Sequence, residues 1–97
     1  MRKITRYAAI AFRGGDNWSL GNTTVCDGAM YLHGNKIAER REDGVYCTLA
    51  GWNTPTTRER LNGLLEILGI PTGFYQHRWE AFYHGRQIDP SEWIKVK

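Results

Sequence analysis

The sequence predicts an α+β fold, in which an antiparallel sheet of about five or six strands carries one amphipathic helix on one face. Short apolar and β-branched segments recur between turn residues, which is typical of antiparallel strands. Residues 54–68 form the one segment with a clear helical period of 3.6 residues. The 97 residues fit a single domain, residues 1–97, and the 12% of aromatic residues supply the buried area that a small core needs.

The first half of the chain is expected to consist of strands. Ile4–Phe12 is predicted to be a central strand, because the middle of this segment is apolar on both faces. A short strand is predicted for Thr23–Cys26. Gly34-Asn35 is expected to form the tight turn of a hairpin spanning Met30–Arg40, since such pairs supply positive φ. Val45–Ala50 has the alternation of a half-buried strand.

The helix is predicted from its ends and from one apolar stripe. Thr54 can cap it with Pro55 at the first helical position, or Thr56 can cap it with Glu59 completing a capping box. Gly69 ends it. The stripe follows the i, i+3, i+4, i+7 rule and consists of Leu61, Leu64, Leu65 and Leu68.

The pair Asn62-Gly63 has no explanation within this helix. If the leucine stripe faces inward, both residues point outward. A glycine in an exposed helix interior costs up to ~1 kcal/mol relative to alanine. We therefore expect something to approach the helix closely at this point, either a binding partner or a crossing segment of the chain.

The aromatic residues of the second half are concentrated in Phe74–Tyr83. This segment is predicted to be a strand that leads into a His84-Gly85 turn, and Glu92–Val96 is predicted to be the last strand. Aromatic rings beside arginines are how many sheets bind single-stranded nucleic acid. The same pattern arises when rings cover the core beneath a polar rim, which the small size of the domain favours. With a period of two, one face of this strand carries Tyr75, His77 and Trp79.

Several classes of function lack support in the sequence. No apolar segment has the length of a membrane span and no export signal is present, so we expect the cytoplasm and no membrane partner. The histidines and cysteines lack metal-site spacing, and no phosphate-binding glycine loop is present, so no metal or cofactor is expected. We do not expect an enzyme, and the remaining enzymatic hypothesis is a site assembled from Cys47, His33 and His84.

Binding to a partner is the class of function that remains. Thirteen Lys and Arg stand against ten acidic residues, and nine of the thirteen are arginines, which suit contacts to phosphate or carboxylate. The helix start places a positive dipole beside Arg58 and Arg60, which can hold an anion. The alternative is a capped helix whose arginines are solvated. The predicted binding residues are Trp52, Asn53, Arg58, Arg60, Asn62, Gly63, Arg78 and Arg86.

Three motifs carry a resemblance to other proteins. Gly21-Asn22-Thr23 comes first, then Leu32-His33-Gly34-Asn35-Lys36-Ile37-Ala38, then Gly51-Trp52-Asn53-Thr54-Pro55-Thr56-Thr57-Arg58-Glu59-Arg60-Leu61-Asn62. In this order they resemble small bacteriophage-encoded proteins of unknown function. The resemblance covers residues 21 to about 65. It implies a phage or prophage origin and expression in a bacterial cytoplasm, but it brings no activity and no catalytic residue.

We expect the protein to act by stoichiometric binding. The first hypothesis is a nucleic acid or a nucleic-acid-handling complex, whose binding weakens steeply with salt. The alternative is a protein-binding inhibitor of a host enzyme or anti-phage defence complex, similar in action to anti-CRISPR proteins, which forms a salt-tolerant complex. The sequence does not decide whether two copies pair through a sheet edge to form a homodimer.

Overall fold

The computed structural model describes residues 1–97 and contains two helices and nine strands. The predicted α+β class is confirmed, although the chain has one helix more than expected. In chain order the elements are α1 (Lys3–Gly14), β1 (Trp18–Leu20), β2 (Thr23–Cys26), β3 (Ala29–Leu32), β4 (Asn35–Arg41), β5 (Gly44–Cys47), α2 (Pro55–Ile67), β6 (Phe74–His77), β7 (Glu80–Tyr83), β8 (Arg86–Gln87) and β9 (Ile94–Lys95).

The strands form two antiparallel sheets. The larger sheet has the order β1-β2-β3-β4-β5-β9, so its first five strands are a meander in chain order. The smaller sheet has the order β6-β7-β8. Pairing of Cys47 with Ile94 brings the last strand back to the larger sheet beside β5.

The prediction of a strand at Ile4–Phe12 is wrong, because this segment belongs to α1. Alanine is the best helix former, and it occupies three of these positions. Ile10 points away from the core and is 37% exposed, which explains why the segment looked apolar on both faces. The helix buries four residues at i, i+3, i+4 and i+7 spacing, namely Thr5, Ala8, Ala9 and Phe12.

Tight turns with positive φ connect several of the hairpins. His33-Gly34 connects β3 to β4 with φ of 51° and 80°, so the turn predicted at Gly34-Asn35 lies one residue earlier. His84-Gly85 connects β7 to β8, as predicted. Phe74–Tyr83 is not a single strand as predicted, because Arg78-Trp79 turns the chain between β6 and β7.

Helix α2 begins and packs as its sequence predicts. Thr54 is the N-cap, its hydroxyl accepts a hydrogen bond from the Thr57 N–H, and Pro55 is the first helical residue. The alternative cap at Thr56 is not used. Gly69 follows the helix with φ of 79°. The predicted stripe is buried in the core: Leu61, Leu64, Leu65 and Leu68.

The core is one continuous cluster that includes residues of both helices and both sheets. Helix α1 packs against α2 and against β1, β2 and β3, while α2 also contacts β4 and β6. The start of α2 lies between the β3–β4 hairpin and the β6–β7 hairpin. Neither helix has the length and apolar composition needed to span a bilayer.

Candidate functional site

An open groove lies between the start of α2 and the β6–β7 turn. Two arginines line it and no acidic residue does, so its charge is positive. It brings together three of the residues predicted to bind, Asn53, Arg58 and Arg78. The other lining residues are Thr54, Pro55, Gln76 and Trp79.

Asn53 joins the two walls of the groove. Its Oδ1 accepts a hydrogen bond from Arg58 Nη1 at 2.5 Å, and its Nδ2 donates to the Trp79 carbonyl at 3.5 Å. Gln76 Oε1 accepts a second hydrogen bond from Arg58 Nη1 at 3.1 Å. Side-chain amides therefore connect the helix start to the β6–β7 hairpin.

Neither arginine of the groove has a carboxylate partner. The acceptors of Arg58 are amide oxygens, which orient the guanidinium without cancelling its charge. The side chain of Arg78 is exposed and makes no hydrogen bond within the protein. An anion in the groove would therefore meet charged N–H donors, which form the stronger class of hydrogen bond.

The β6–β7 turn has an unusual composition for its conformation. Arg78 and Trp79 have φ of 52° and 70°, a region that costs an L residue about 1–2 kcal/mol and is usually occupied by glycine or asparagine. The Trp79 side chain is 86% exposed. A strained backbone thus presents a large aromatic ring to solvent beside the groove.

The start of α2 contributes less to anion binding than its sequence predicts. The Thr57 N–H is used by the Thr54 hydroxyl, and Pro55 has no N–H. The Arg58 N–H bonds to the Thr54 carbonyl. Since only the Thr56 N–H remains free in this first turn, the arginine side chains are the main donors of the groove.

The aromatic residues of β6 and β7 divide between the core and the surface. Phe74 and Tyr83 are buried with ring centroids 4.7 Å apart, so one face of the small sheet covers the core. On the other face Tyr75 stacks on Phe82 at 5.4 Å and is 44% exposed. The turn places Trp79 at the hairpin end instead of on the predicted strand face.

A cavity of about 380 Å³ adjoins the groove at Thr54. It lies between the end of the β3–β4 hairpin, the segment before α2 and the first turn of α2. Trp52, a predicted binding residue, forms part of its wall and is 58% exposed. The lining contains no charged residue and consists of Leu32, His33, Asn35, Ile37, Leu49, Trp52, Thr54, Thr56 and Thr57.

Arg60 lies in the core, although the sequence placed it among the binding residues. Its side chain is 2% exposed and donates to the hydroxyls of Thr5 and Thr23, each at 3.0 Å. It also forms an ion pair with Glu59 and donates to Asn22 Oδ1. Arg60 therefore joins both helices and the β1–β2 turn, and it is not accessible to a ligand.

The expectation that Asn62 and Gly63 point outward is wrong. Gly63 is buried against α1, where an added Cβ would lie 2.2 Å from Thr5 Cγ2. Asn62 bonds to both backbone groups of Phe74, donating to its carbonyl at 2.9 Å and accepting from its N–H at 2.7 Å. The expected close approach to the helix is made by α1, another segment of the same chain.

Arg86 is the remaining predicted binding residue, and it lies outside the groove. It is exposed on β8 and forms an ion pair with Glu92, with the Nη2 and Oε2 atoms 3.2 Å apart. Its charge is partly balanced, in contrast to the charges of Arg58 and Arg78.

The residues of the enzymatic hypothesis have structural explanations. His33 and His84 both occupy positive-φ turn positions, each with φ of 51°. Burial raises the pKa of the Cys47 thiol to about 12, which keeps it protonated and unreactive. The structure contains no group of three His, Cys, Asp or Glu side chains that could hold a metal ion.

Sequence reasoning missed two features of the surface. The sequence predicts Trp79 to be a strand residue, because Arg78-Trp79 lacks any turn-forming residue type. The outward side of α1 carries exposed Lys3, Arg6 and Arg13, with no acidic residue in the helix and no ion pair to any of them. This spacing becomes visible only when the segment is taken as a helix.

The whole chain, residues 1–97, matches the model of one protein family, described as Kyanoviridae Gp96 protein. The chain belongs to this family of phage proteins. Membership of the Kyanoviridae Gp96 family confirms the phage origin that the resemblance implied, and it extends the match to the C-terminal hairpin. Neither a curated protein nor a solved structure gives a significant match.

Proposed function

We propose that this member of the Kyanoviridae Gp96 family acts by stoichiometric binding of single-stranded nucleic acid in the groove between α2 and the β6–β7 turn. The observation that supports this most directly is the exposed ring of Trp79 beside Arg58 and Arg78, neither of which has a carboxylate partner. Base stacking on an aromatic ring, with arginines on the backbone phosphates, is the usual chemistry of binding sites for single strands.

The backbone of the turn supports a functional role. Positive φ at both Arg78 and Trp79 costs free energy that an Asn-Gly pair would avoid. Strained backbone of this kind concentrates at binding and catalytic sites. Asn53 contacts both the Trp79 carbonyl, at 3.5 Å, and Arg58, so the strained turn lies next to the arginine at the helix start.

The charge of the groove favours nucleic acid over protein as the partner. Two arginines without any acidic neighbour suit a ligand that carries a negative charge on every residue. An exposed tryptophan also suits a protein interface, so a salt-tolerant protein complex is the other outcome of the test.

The test is fluorescence anisotropy of a labelled short single strand, titrated with wild-type protein and three variants over a range of salt concentrations. Arg78→Ala should lower the slope of log K against log salt by about 0.7, the contribution of one phosphate contact on a single strand. Trp79→Ala should weaken binding by about tenfold, as expected for the loss of one stacked base. Arg13→Ala is the matched control, because Arg13 is also an exposed, unpaired arginine.

The control distinguishes binding in the groove from general electrostatic attraction between the strand and a basic protein. If Arg13→Ala and Arg78→Ala have the same effect, net charge explains the binding and the groove does not. If the strand does not bind, the nucleic-acid proposal fails. A host protein retained on immobilised protein after nuclease treatment and at high salt would then support the inhibitor alternative.

A further inference from the structure

We infer that the cavity next to the groove is a subsite for one unpaired nucleobase of the bound strand. This inference rests on the proposed function and names a second contact that the groove alone does not provide. The cavity and the groove share Thr54, so the subsite would adjoin the groove in which the strand is proposed to lie.

The distribution of charge between the groove and the cavity matches that of a nucleotide. The groove carries both arginines, whereas the cavity is lined by no Asp, Glu, Lys or Arg. A nucleotide has the same division, with its charge on the phosphate and a neutral, flat base. The volume of about 380 Å³ lies at the lower end of the range for ligand pockets, roughly 300–1,000 Å³.

The surfaces inside the cavity suit an aromatic ring with polar edges. Its apolar part is formed by Leu32, Ile37 and Leu49, and the half-exposed indole of Trp52 provides a ring for stacking. Exposed aromatic rings bind bases of any identity through their faces.

Three polar side chains of the lining have no hydrogen bond within the protein: His33, Asn35 and Thr56. The amide of Asn35 offers both a donor and an acceptor, the combination that pairs with the edge of a base. The hydroxyls of Thr54 and Thr57 are less available, because they lie 3.0 Å apart and bond to each other.

The test compares a labelled single strand with an abasic strand of the same length and charge, by anisotropy at low salt. In Trp79→Ala, which cannot stack a base in the groove, a base held in the cavity should still make the intact strand bind about tenfold more tightly than the abasic one. Thr56→Leu adds an apolar side chain at the cavity wall without changing a residue of the groove. Combined with Trp79→Ala, this substitution should lower the affinity for the intact strand to the affinity for the abasic strand.

Each result distinguishes the subsite from the groove. In Trp79→Ala, equal affinity for the two strands, or no further loss of intact-strand affinity when Thr56→Leu is added, overturns the subsite and leaves the groove proposal standing. An equal loss for both strands in Thr56→Leu also overturns the subsite, because the substitution then acts on the groove. Absence of binding by both strands overturns the subsite together with the proposed function. Thermal melting of the variant checks that it is folded.

Discussion

Arg60 donates a hydrogen bond across 3.0 Å to the hydroxyl of Thr5, and this buried contact joins α2 to α1. The two residues are separated by 55 positions in the sequence. The same guanidinium bonds to Thr23 of β2, so one side chain fixes three elements. The stability of the whole fold is therefore expected to depend on Arg60.

Replacing Arg60 with methionine should strongly destabilise the protein. The substitution leaves the hydroxyls of Thr5 and Thr23 without this partner and Glu59 without its cation. Breaking a buried ion pair from one side costs about 3–5 kcal/mol, and the partial exposure of Glu59 favours the lower end. Urea denaturation measures the change, with Arg58→Met as the control in the same helix. A similar loss in both variants would contradict the structural role assigned to Arg60.

Substituting Gly63 by alanine should destabilise the helix pair, although alanine favours helix formation. The new Cβ would lie 2.2 Å from Thr5 Cγ2, and such overpacking costs about 1–3 kcal/mol. Thr5→Ser removes that methyl group and keeps the hydroxyl that bonds to Arg60 and Glu59. The double variant should recover part of the lost stability in thermal melting. Additive losses would show that the two residues are not in contact.

Asn62→Ala should loosen the small sheet from α2. Asn62 holds the N–H and the carbonyl of Phe74, and each lost hydrogen bond costs about 1 kcal/mol. Hydrogen exchange of the Phe74 amide should therefore become faster. In Asn62→Asp a carboxylate can still accept from the Phe74 N–H but faces its carbonyl, so only part of the protection should remain. Unchanged exchange in Asn62→Ala would contradict the contact.

Converting the β6–β7 turn to Asn-Gly should stabilise the protein and weaken ligand binding at the same time. Arg78→Asn with Trp79→Gly supplies residues that accept positive φ with little strain. The gain should be on the order of 1 kcal/mol. The same variant removes the exposed ring and one of the two groove arginines. Melting and oligonucleotide titration of one preparation measure both effects, and a stabilised variant with intact binding would exclude this turn from the site.

The two cysteines should differ sharply in alkylation of the folded protein. Burial raises the pKa of Cys47 to about 12, so Cys47 should react only after unfolding. The hydrogen bond from the Cys26 thiol to Asp27, together with the charge of that carboxylate, raises the pKa of Cys26. A raised pKa means less thiolate at about pH 8, so Cys26 should react more slowly than an ordinary thiol. Asp27→Asn should accelerate its reaction, as mass spectrometry of labelled peptides can measure, and an unchanged rate would argue against the effect of Asp27.

Local signals explain which parts of the fold could be predicted. The Thr54 cap and the leucine stripe are encoded within α2 itself, and both are found as predicted. In α1 the buried face consists of threonine, alanine and one phenylalanine, so it contains few large hydrophobic side chains. Ile10 lies on the exposed face, and the helical period is therefore hard to recognise in the sequence. The turn at Arg78-Trp79 carries no turn-forming residue and therefore gave no signal.

Tertiary contacts decide which of the predicted site residues are accessible to a ligand. Spacing alone placed Arg60 and Gly63 on an accessible helix surface, but α1 covers that surface. Because the sequence predicts a strand for Ile4–Phe12, it does not predict this cover. Asn53, Arg58 and Arg78 meet because Asn53 bonds to the helix start and to the turn, a contact between residues 26 positions apart.

The separation between α1 and α2 also has a consequence for synthesis on the ribosome. The partners of Thr5 in α2 emerge more than 50 residues after it. An isolated helix of 12 residues is only marginally stable in water. The contacts with α2 therefore cannot stabilise α1 before most of the chain has been translated. Before α2 is available, the apolar face of α1 is only partly covered, by β1, β2 and β3. Distant contacts of this kind slow folding, and the nascent chain is most vulnerable to aggregation and proteolysis during this interval.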